Sequence, residues 1–409
     1  MATSVNSVKS ASQPIQTSRL ALATFGHFLN DCYAAFLAPL LPLLISHLSL
    51  SLTMASGLVA IPSITSSICQ PLYGMASDRV QGRFFMLLGP ALTIICMSSI
   101  GLAPNAIFLG LLLLIGGVGT AAFHPQAVAV AGAASGDRKG LGISLFGFGG
   151  NIGFALGPLV IIAAVQIFGL KGSAVIAIPG LLGVWLLIRY LHVPYRTVDR
   201  AQMVSLQTAF EGVYGPMSLL FSIAVLRELT RLAVVTFLPI YLTMKGSSLI
   251  MGGVTLTLFS LAGAAGGMIG GSLSDAWNRK GVIALSGIIC VPLLLGVFRT
   301  DGWVSMVLLG LSAAALSAAH SVIIASAQEL VPTRAGTASS LVMGLGWGLA
   351  GVVLIGFGSL ADLITVPRAL DLAALVPLVT VVMAWALPTV IARPHDAVSP
   401  TGDLALQDG

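Results

Sequence analysis

The sequence predicts an all-α membrane protein of twelve helices arranged as two six-helix halves. Three observations carry this. Of 409 residues, 56% are hydrophobic and 8% charged, where a soluble domain carries about 25% charged residues. The apolar residues recur in windows of about 20, the length of a helix crossing a ~30 Å hydrocarbon core, and lack the dyad alternation of a transmembrane barrel. The two halves of the chain also carry the same landmarks at a nearly constant offset.

Taken in order, the spans fall at about 20–46, 52–74, 84–103, 106–134, 141–168 and 173–192, then 215–243, 248–273, 281–299, 302–330, 337–362 and 369–391. The first run is too long for a secretory h-region, so it is expected to stay as the first span behind a polar tail of residues 1–19. Residues 20–192 form the first half, 193–214 a linker, 215–391 the second half and 392–409 a second tail. Short connections elsewhere make neighbours antiparallel. With the N-terminus inside, thirteen of the 19 Lys and Arg residues fall in cytoplasmic segments; Lys171, Lys245, Arg299 and Arg368 fall outside. That asymmetry places both tails in the cytoplasm. The basic residues are spread over these connections, so the net charge of +5 reads as a topology signal and no nucleic-acid partner is expected. Cys32, Cys69, Cys96 and Cys290 all lie in apolar runs without zinc or disulfide spacing and read as small buried hydrophobes.

The repeat is visible residue by residue. Gly74 and Asp78 in GMASDRVQGR match Gly271 and Asp275 in GSLSDAWNRK at an offset of 197, as Asp31 matches Glu228 and Pro42 matches Pro239. His124 and His320 are 196 apart, as are Gly140 and Gly336. Several coincidences at one offset indicate two halves related by an axis along the membrane normal.

These residues resemble a known family. Six plus six spans, with a G-x-x-x-D-(R)-x-x-x-(R/K) loop after spans two and eight, are similar to the major facilitator superfamily. The second copy keeps Leu273, Asp275, Arg279 and Lys280; the first keeps Gly74, Asp78, Arg79 and Arg83 but has Gln81 where glycine is usual. Within that superfamily, GHFLNDCY, AAFHPQ, AQELVPTRAGTASSLVMGLGWGLAG and the following GSLAD resemble the fosmidomycin-resistance group of bacterial exporters. The resemblance covers nearly the whole chain. It implies that spans one, four, seven and ten line a central cavity. It also implies that Asp78 with Arg79 and Arg83, and Asp275 with Arg279 and Lys280, latch helix ends in the outward-open state. In span five, Gly153-x-x-x-Gly157-Pro158 resembles the antiporter motif without its second glycine pair; plain close packing of small residues is the competing reading.

Charged and imidazole side chains deep in spans are the strongest functional signal. They are His27 and Asp31 in span one, His124 in span four, Arg227, Glu228 and Arg231 in span seven and His320 in span ten. An Asp or Arg at a helix centre costs roughly 2.5–3.5 kcal/mol by insertion scales, so casual placement is disfavoured. His27 and Asp31 are four apart and share a helix face, with Asn30 beside them. Burial disfavours a charged carboxylate and a nearby cation favours it, so Asp31 suits a proton carrier, with Glu228 second; a permanent Asp31–His27 hydrogen bond is the alternative. Arginine offers a planar fork for carboxylate, phosphate or phosphonate. Arg227 and Arg231 are therefore candidates for holding an anionic substrate, or else ions neutralised by Glu228 and Asp31. His27, Asn30, His124 and His320 would shape the cavity, and the histidines could relay protons.

The expected function is proton-driven export of a small organic, anionic compound or drug across a bacterial inner membrane by a monomer working through alternating access. No Gly-rich phosphate loop with Lys, no G-x-S-x-G and no H-E-x-x-H is present, so no enzyme and no cofactor are expected, and coupling must come from an ion gradient. Proton symport of an organic anion, export of a metal or metal chelate through the His and Asp set, and a sensor or flippase role are the rival expectations.

Overall fold

A computed structural model describes residues 14–77, 83–136, 138–193 and 210–388. Every regular element among them is helical: α1 (Thr17–Ala34), α2 (Leu37–Leu48), α3 (Leu52–Ser77), α4 (Phe84–Ser98), α5 (Ala106–Ala134), α6 (Lys139–Gly172) and α7 (Ala177–Tyr190) in the first part of the chain. The second part holds α8 (Tyr214–Met244), α9 (Leu249–Ala276), α10 (Arg279–Val297), α11 (Gly302–Leu330), α12 (Ala335–Ser340), α13 (Gly346–Ile364) and α14 (Val366–Trp385). Ten stretches among the described residues are long and apolar enough to cross a membrane. One of them, Gly142–Tyr190, is interrupted at Gly169, whose φ of 72° an L side chain rarely adopts. The 31-residue α8 stands apart from the ten because it carries Arg227, Glu228 and Arg231.

Local chemistry explains the irregularities. The first span divides after Ala34 because Pro39 cannot donate to the Ala35 carbonyl and its ring crowds it. Asp31 thus sits in the last turn of α1, beside the break. Asn105, Ser248 and Asn278 start α5, α9 and α10 by accepting from the N–H three residues on. A π turn at Leu341–Leu345 joins α12 to α13, and the Gly344 carbonyl in it accepts from the Ser67 hydroxyl.

Small residues set how closely helices approach. Gly149, Gly153 and Gly157, each four apart on α6, lie against Thr24, Phe28 and Cys32 on α1, so that an added Cβ would collide with their backbone carbonyls. Gly266 and Gly270 of α9 meet the backbone of Ala314 and Ala318 on α11 in the same way. The repeat also shows in helix ends. Arg83 donates to the Leu187 and Leu191 carbonyls at the end of α7. Lys280, 197 residues later, donates to those of Trp385 and Leu387 at the end of α14. Both place a cation at a helix C-terminus.

The first and second parts of the chain meet along α3 and α13, from Leu52 to Ser67, and between α6 and α9. Asp362 accepts from the N–H groups of Leu52 (3.0 Å) and Thr53 (2.9 Å) and from the Thr53 hydroxyl (2.6 Å). Together with Ser51, which accepts from Met54 N–H, it satisfies the first turn of α3. Gly253 of α9 lies against Ile162 of α6, and Thr257 donates to the Ala155 carbonyl (2.7 Å). The outer piece α2, rather than α1, lies against α8.

Candidate functional site

The first cluster is built by α1, α5 and α6. The glycine ladder of α6 holds α1 close, and Gly150 leaves room for the His27 ring, which a Cβ there would strike. His27 stacks on Phe146 with centroids 4.2 Å apart and meets the His124 ring edge-on at 5.1 Å. Its Nδ1 lies 2.9 Å from the Phe146 carbonyl, and its Nε2 lies 3.2 Å from Asp31 Oδ2. His124 is held in the same manner: Nδ1 lies 2.8 Å from the Thr120 carbonyl and Nε2 lies 3.5 Å from Asp31 Oδ1. Asn30 donates to Asp31 Oδ1 at 3.0 Å and accepts from the Thr93 hydroxyl at 3.2 Å. The Asp31 and His124 side chains keep 19% and 23% of their surface exposed.

This arrangement fixes where protons can be. A carbonyl oxygen only accepts, so Nδ1 of both rings carries hydrogen. Each Nε2 then faces the carboxylate either bare or protonated. Satisfying both Nε2–Oδ contacts takes two protons in the seam; with none, three acceptors converge. The carboxylate has no arginine or lysine partner among the described residues to neutralise it permanently. The side chains that face it there are the two imidazoles and the Asn30 amide.

The second cluster is on α8, α11 and α13 and has a different character. Arg231 donates through Nε to Glu228 Oε2 at 2.8 Å and through Nη2 to Oε1, a two-pronged ion pair. Glu228 is 7% exposed and Arg231 31%. His320 stacks on Trp347 with centroids 6.1 Å apart and lies within electrostatic reach of Glu228 and Arg231. Arg227 is turned elsewhere. It donates to the Thr380 hydroxyl (2.9 Å), the Ile283 carbonyl (2.7 Å) and the Ser286 hydroxyl (3.1 Å), between α10 and α14, while its Nη1 is buried without a partner. The sequence grouped Arg227 with Arg231 because residues four apart share a helix face; the backbone position does so, but the long side chain swings into the bundle.

The remaining expected residues are placed as follows. Asp78 and Arg79 lie outside the described residues. Arg279 pairs with Asp275 (2.7 Å) and with Glu329 of α11 (2.7 Å), while Lys280 holds the end of α14. Around Gly74 and Gly271 an added Cβ would find Pro125 and Ser321 at 4.0 and 3.7 Å, ordinary contact distances. Gly153 and Gly157 form the α6 side of the contact with α1, with Pro158 following. Sequence reasoning passed over Asp362, Glu329 and Trp347. All three lie inside the motif stretches AQELVPTRAGTASSLVMGLGWGLAG and GSLAD.

The comparisons agree with this architecture. Residues 23–355 match the Major Facilitator Superfamily model. The chain is 28% identical over 371 residues to the fosmidomycin resistance protein of Escherichia coli K12, covering 88% of this chain and 90% of that one. It is 22% identical over 302 residues to the multi-drug resistance efflux pump PmrA of Streptococcus pneumoniae, covering 68% and 75%. Its fold matches the crystal structure of a bacterial homolog of the human lysosomal transporter Spinster, in its inward-facing and occupied conformation, with a TM-score of 0.77 at 16% identity, covering 92% and 97%. The chain belongs to the major facilitator superfamily: it is a multi-pass bacterial inner-membrane protein, a secondary transporter of a small organic molecule and not an enzyme.

Proposed function

We propose that this transporter is a proton-driven exporter of a small organic anion, with twelve spans in two six-helix halves, residues 20–192 and 215–391, and both tails in the cytoplasm. The observation that carries the reading is Asp31 placed between two imidazoles whose Nδ1–H groups are committed to backbone carbonyls. Such a seam loads and releases protons at one carboxylate, and exposure to one side of the membrane or the other decides which. Each proton moving inward through 100 mV supplies about 2.3 kcal/mol, enough to concentrate a neutral solute roughly fifty-fold. With the tails in the cytoplasm, the Asp362 cap on the first turn of α3 lies at the outer end, and we read that end as closed. Arg231, paired with Glu228 but 31% exposed, and His320 on Trp347 are the groups for the anionic substrate. The two-residue arginine site contracts to one, with Arg227 bracing α8 against α10 and α14. Efflux over uptake is favoured by two of the relatives, a resistance protein and an efflux pump.

The test is flux in proteoliposomes. A panel of labelled organic anions and antibiotics, screened first on cells with and without the protein, supplies a substrate. Antiport predicts that an imposed pH gradient drives that substrate toward the more acidic side; symport predicts the opposite direction. Gradient-driven flux that persists unchanged in Asp31→Asn would sink the proton assignment.

A further inference from the structure

We infer that His27, Asp31 and His124 also form a binding site for a divalent transition-metal ion of the zinc class, which occupies the Asp31 carboxylate and arrests the transporter. The inference deepens the reading of this seam as the proton site.

Three features carry it. One ligand atom from each residue falls within 4.8 Å of the others. The imidazoles approach different oxygens of Asp31, His27 Nε2 at 3.2 Å from Oδ2 and His124 Nε2 at 3.5 Å from Oδ1, so a carboxylate binding through both oxygens sets each imidazole at about the spacing of neighbouring ligands 2.0–2.2 Å from one metal. Both imidazoles donate Nδ1–H to a backbone carbonyl, the outer hydrogen bond that fixes the tautomer and orients Nε2 toward a metal. Asn30 supplies the same support to the carboxylate.

The ligand set selects the ion. Two imidazoles and a carboxylate suit zinc, nickel, copper or iron rather than magnesium or calcium, which prefer oxygen throughout. Three protein ligands leave a fourth position, and the partial exposure of Asp31 and His124 lets water reach it. The arginines, which would repel a cation, are engaged elsewhere: Arg231 with Glu228, and Arg227 between α10 and α14.

The experiment uses purified full-length protein stripped with chelator and titrated with zinc, then with cobalt, whose visible absorption reports tetrahedral coordination. One ion per chain is expected. Affinity should fall roughly ten- to hundred-fold or more in His27→Ala, His124→Ala and Asp31→Asn, and remain unchanged in His47→Ala/His192→Ala, which removes two exposed histidines outside the site. Asp31→Asn preserves the shape of the side chain, and a monodisperse elution profile separates ligand loss from misfolding. Zinc should also inhibit gradient-driven flux. Zinc binding that is absent, or equal in wild type and in all three site variants, overturns the inference. If Asp31→Asn abolishes gradient-driven flux while wild type binds no zinc, the proton reading stands and the metal site fails. If zinc binds through these three residues while flux ignores Asp31, the metal site stands and the proton reading fails.

Discussion

Asp31 and Glu228 occupy matching positions in the two repeats, and their surroundings could hardly differ more. Asp31 faces two imidazoles and an asparagine amide. Glu228 is gripped by both prongs of Arg231. Arginine stays protonated in proteins, so the second carboxylate faces a permanent cation, while the first faces two imidazoles, which can be neutral or charged. The repeat supplied two equivalent positions, and on the function proposed above the chemistry of the neighbours separates a proton-exchanging site from a constant charge pair. The scaffolds diverged as well. Gly149, Gly153 and Gly157 press α6 onto α1, whereas the residues 197 positions later are Gly346, Ala350 and Leu354, and Gly346 meets Ala224 at 3.8 Å. The proton cluster is therefore built on the tighter helix pair.

The largest expected effect breaks the comparison outright. Asp31→Asn should lower gradient-driven flux roughly hundred-fold or more, the scale on which loss of a proton-transferring group is felt. Exchange of labelled for unlabelled substrate, which needs no net proton movement, should persist. Glu228→Gln should retain a measurable pH-driven flux. If the two variants behave the other way round in the same vesicles, the roles of the halves are reversed.

Next in size is the stability of the ion pair. Removing one partner of a buried pair costs about 3–5 kcal/mol, less where solvent reaches it as it does Arg231. Arg231→Gln should thus destabilise the protein by about 2–3 kcal/mol, read as a lower melting temperature in detergent. The double variant Glu228→Gln/Arg231→Gln should recover much of that loss, because no unpaired charge remains. The corresponding change in the first half, Asp31→Asn, should move the melting temperature less, since its partners can shed their protons.

Smaller again is the effect of helix spacing. Gly153→Ala drives a methyl group into the Phe28 carbonyl and should cost about 1–3 kcal/mol as an overpacked contact. Ala350→Gly, at the matching position of the second half, removes a methyl from a helix interior and should cost about 0.5–1 kcal/mol. Equal costs at the two sites would erase the difference in scaffolding argued above.

How much of this could be read in the sequence differs by feature. Span positions, the repeat and the list of intramembrane polar residues follow from apolar run length and residue spacing, and the His27–Asp31 pair follows from a spacing of four on one helix. The contact of His124 with Asp31 does not, because it depends on how α5 docks on α1, which no local pattern encodes. Nor does the turn of Arg227 toward Thr380 and Ser286, since a side chain with four rotatable bonds chooses among neighbours brought by tertiary packing. The break before Pro39 was legible in principle, for a proline inside a helical run displaces the carbonyl four residues back. A span drawn by hydropathy alone passes over it.

The smallest expected effect tests the two seams between halves. On one seam Asp362 of α13 caps the first turn of α3 through Leu52 and Thr53. On the matching seam, 197 positions earlier, the residue is Val165, and α6 meets α9 through Ile162 against Gly253 and the Thr257 hydroxyl bond. One seam is thus closed by a charge-assisted cap and the other by apolar contact. Asp362→Ala removes acceptors for two N–H groups and one hydroxyl, a loss of about 1 kcal/mol by the measure of helix N-caps. Because the cap exists only while the halves are closed at that end, the loss falls on one conformer and shifts the population about five-fold toward the other. Paired cysteines at Thr53 and Ser359, whose hydroxyls lie 3.2 Å apart, should cross-link more slowly in the Asp362→Ala background. If the halves move as rigid bodies, as the proposed alternating access requires, cysteines at Ile162 and Gly253 on the second seam should report the same direction. A slower cross-link at Thr53 and Ser359 alone would mean that Asp362 orders only the start of α3 and does not latch the halves.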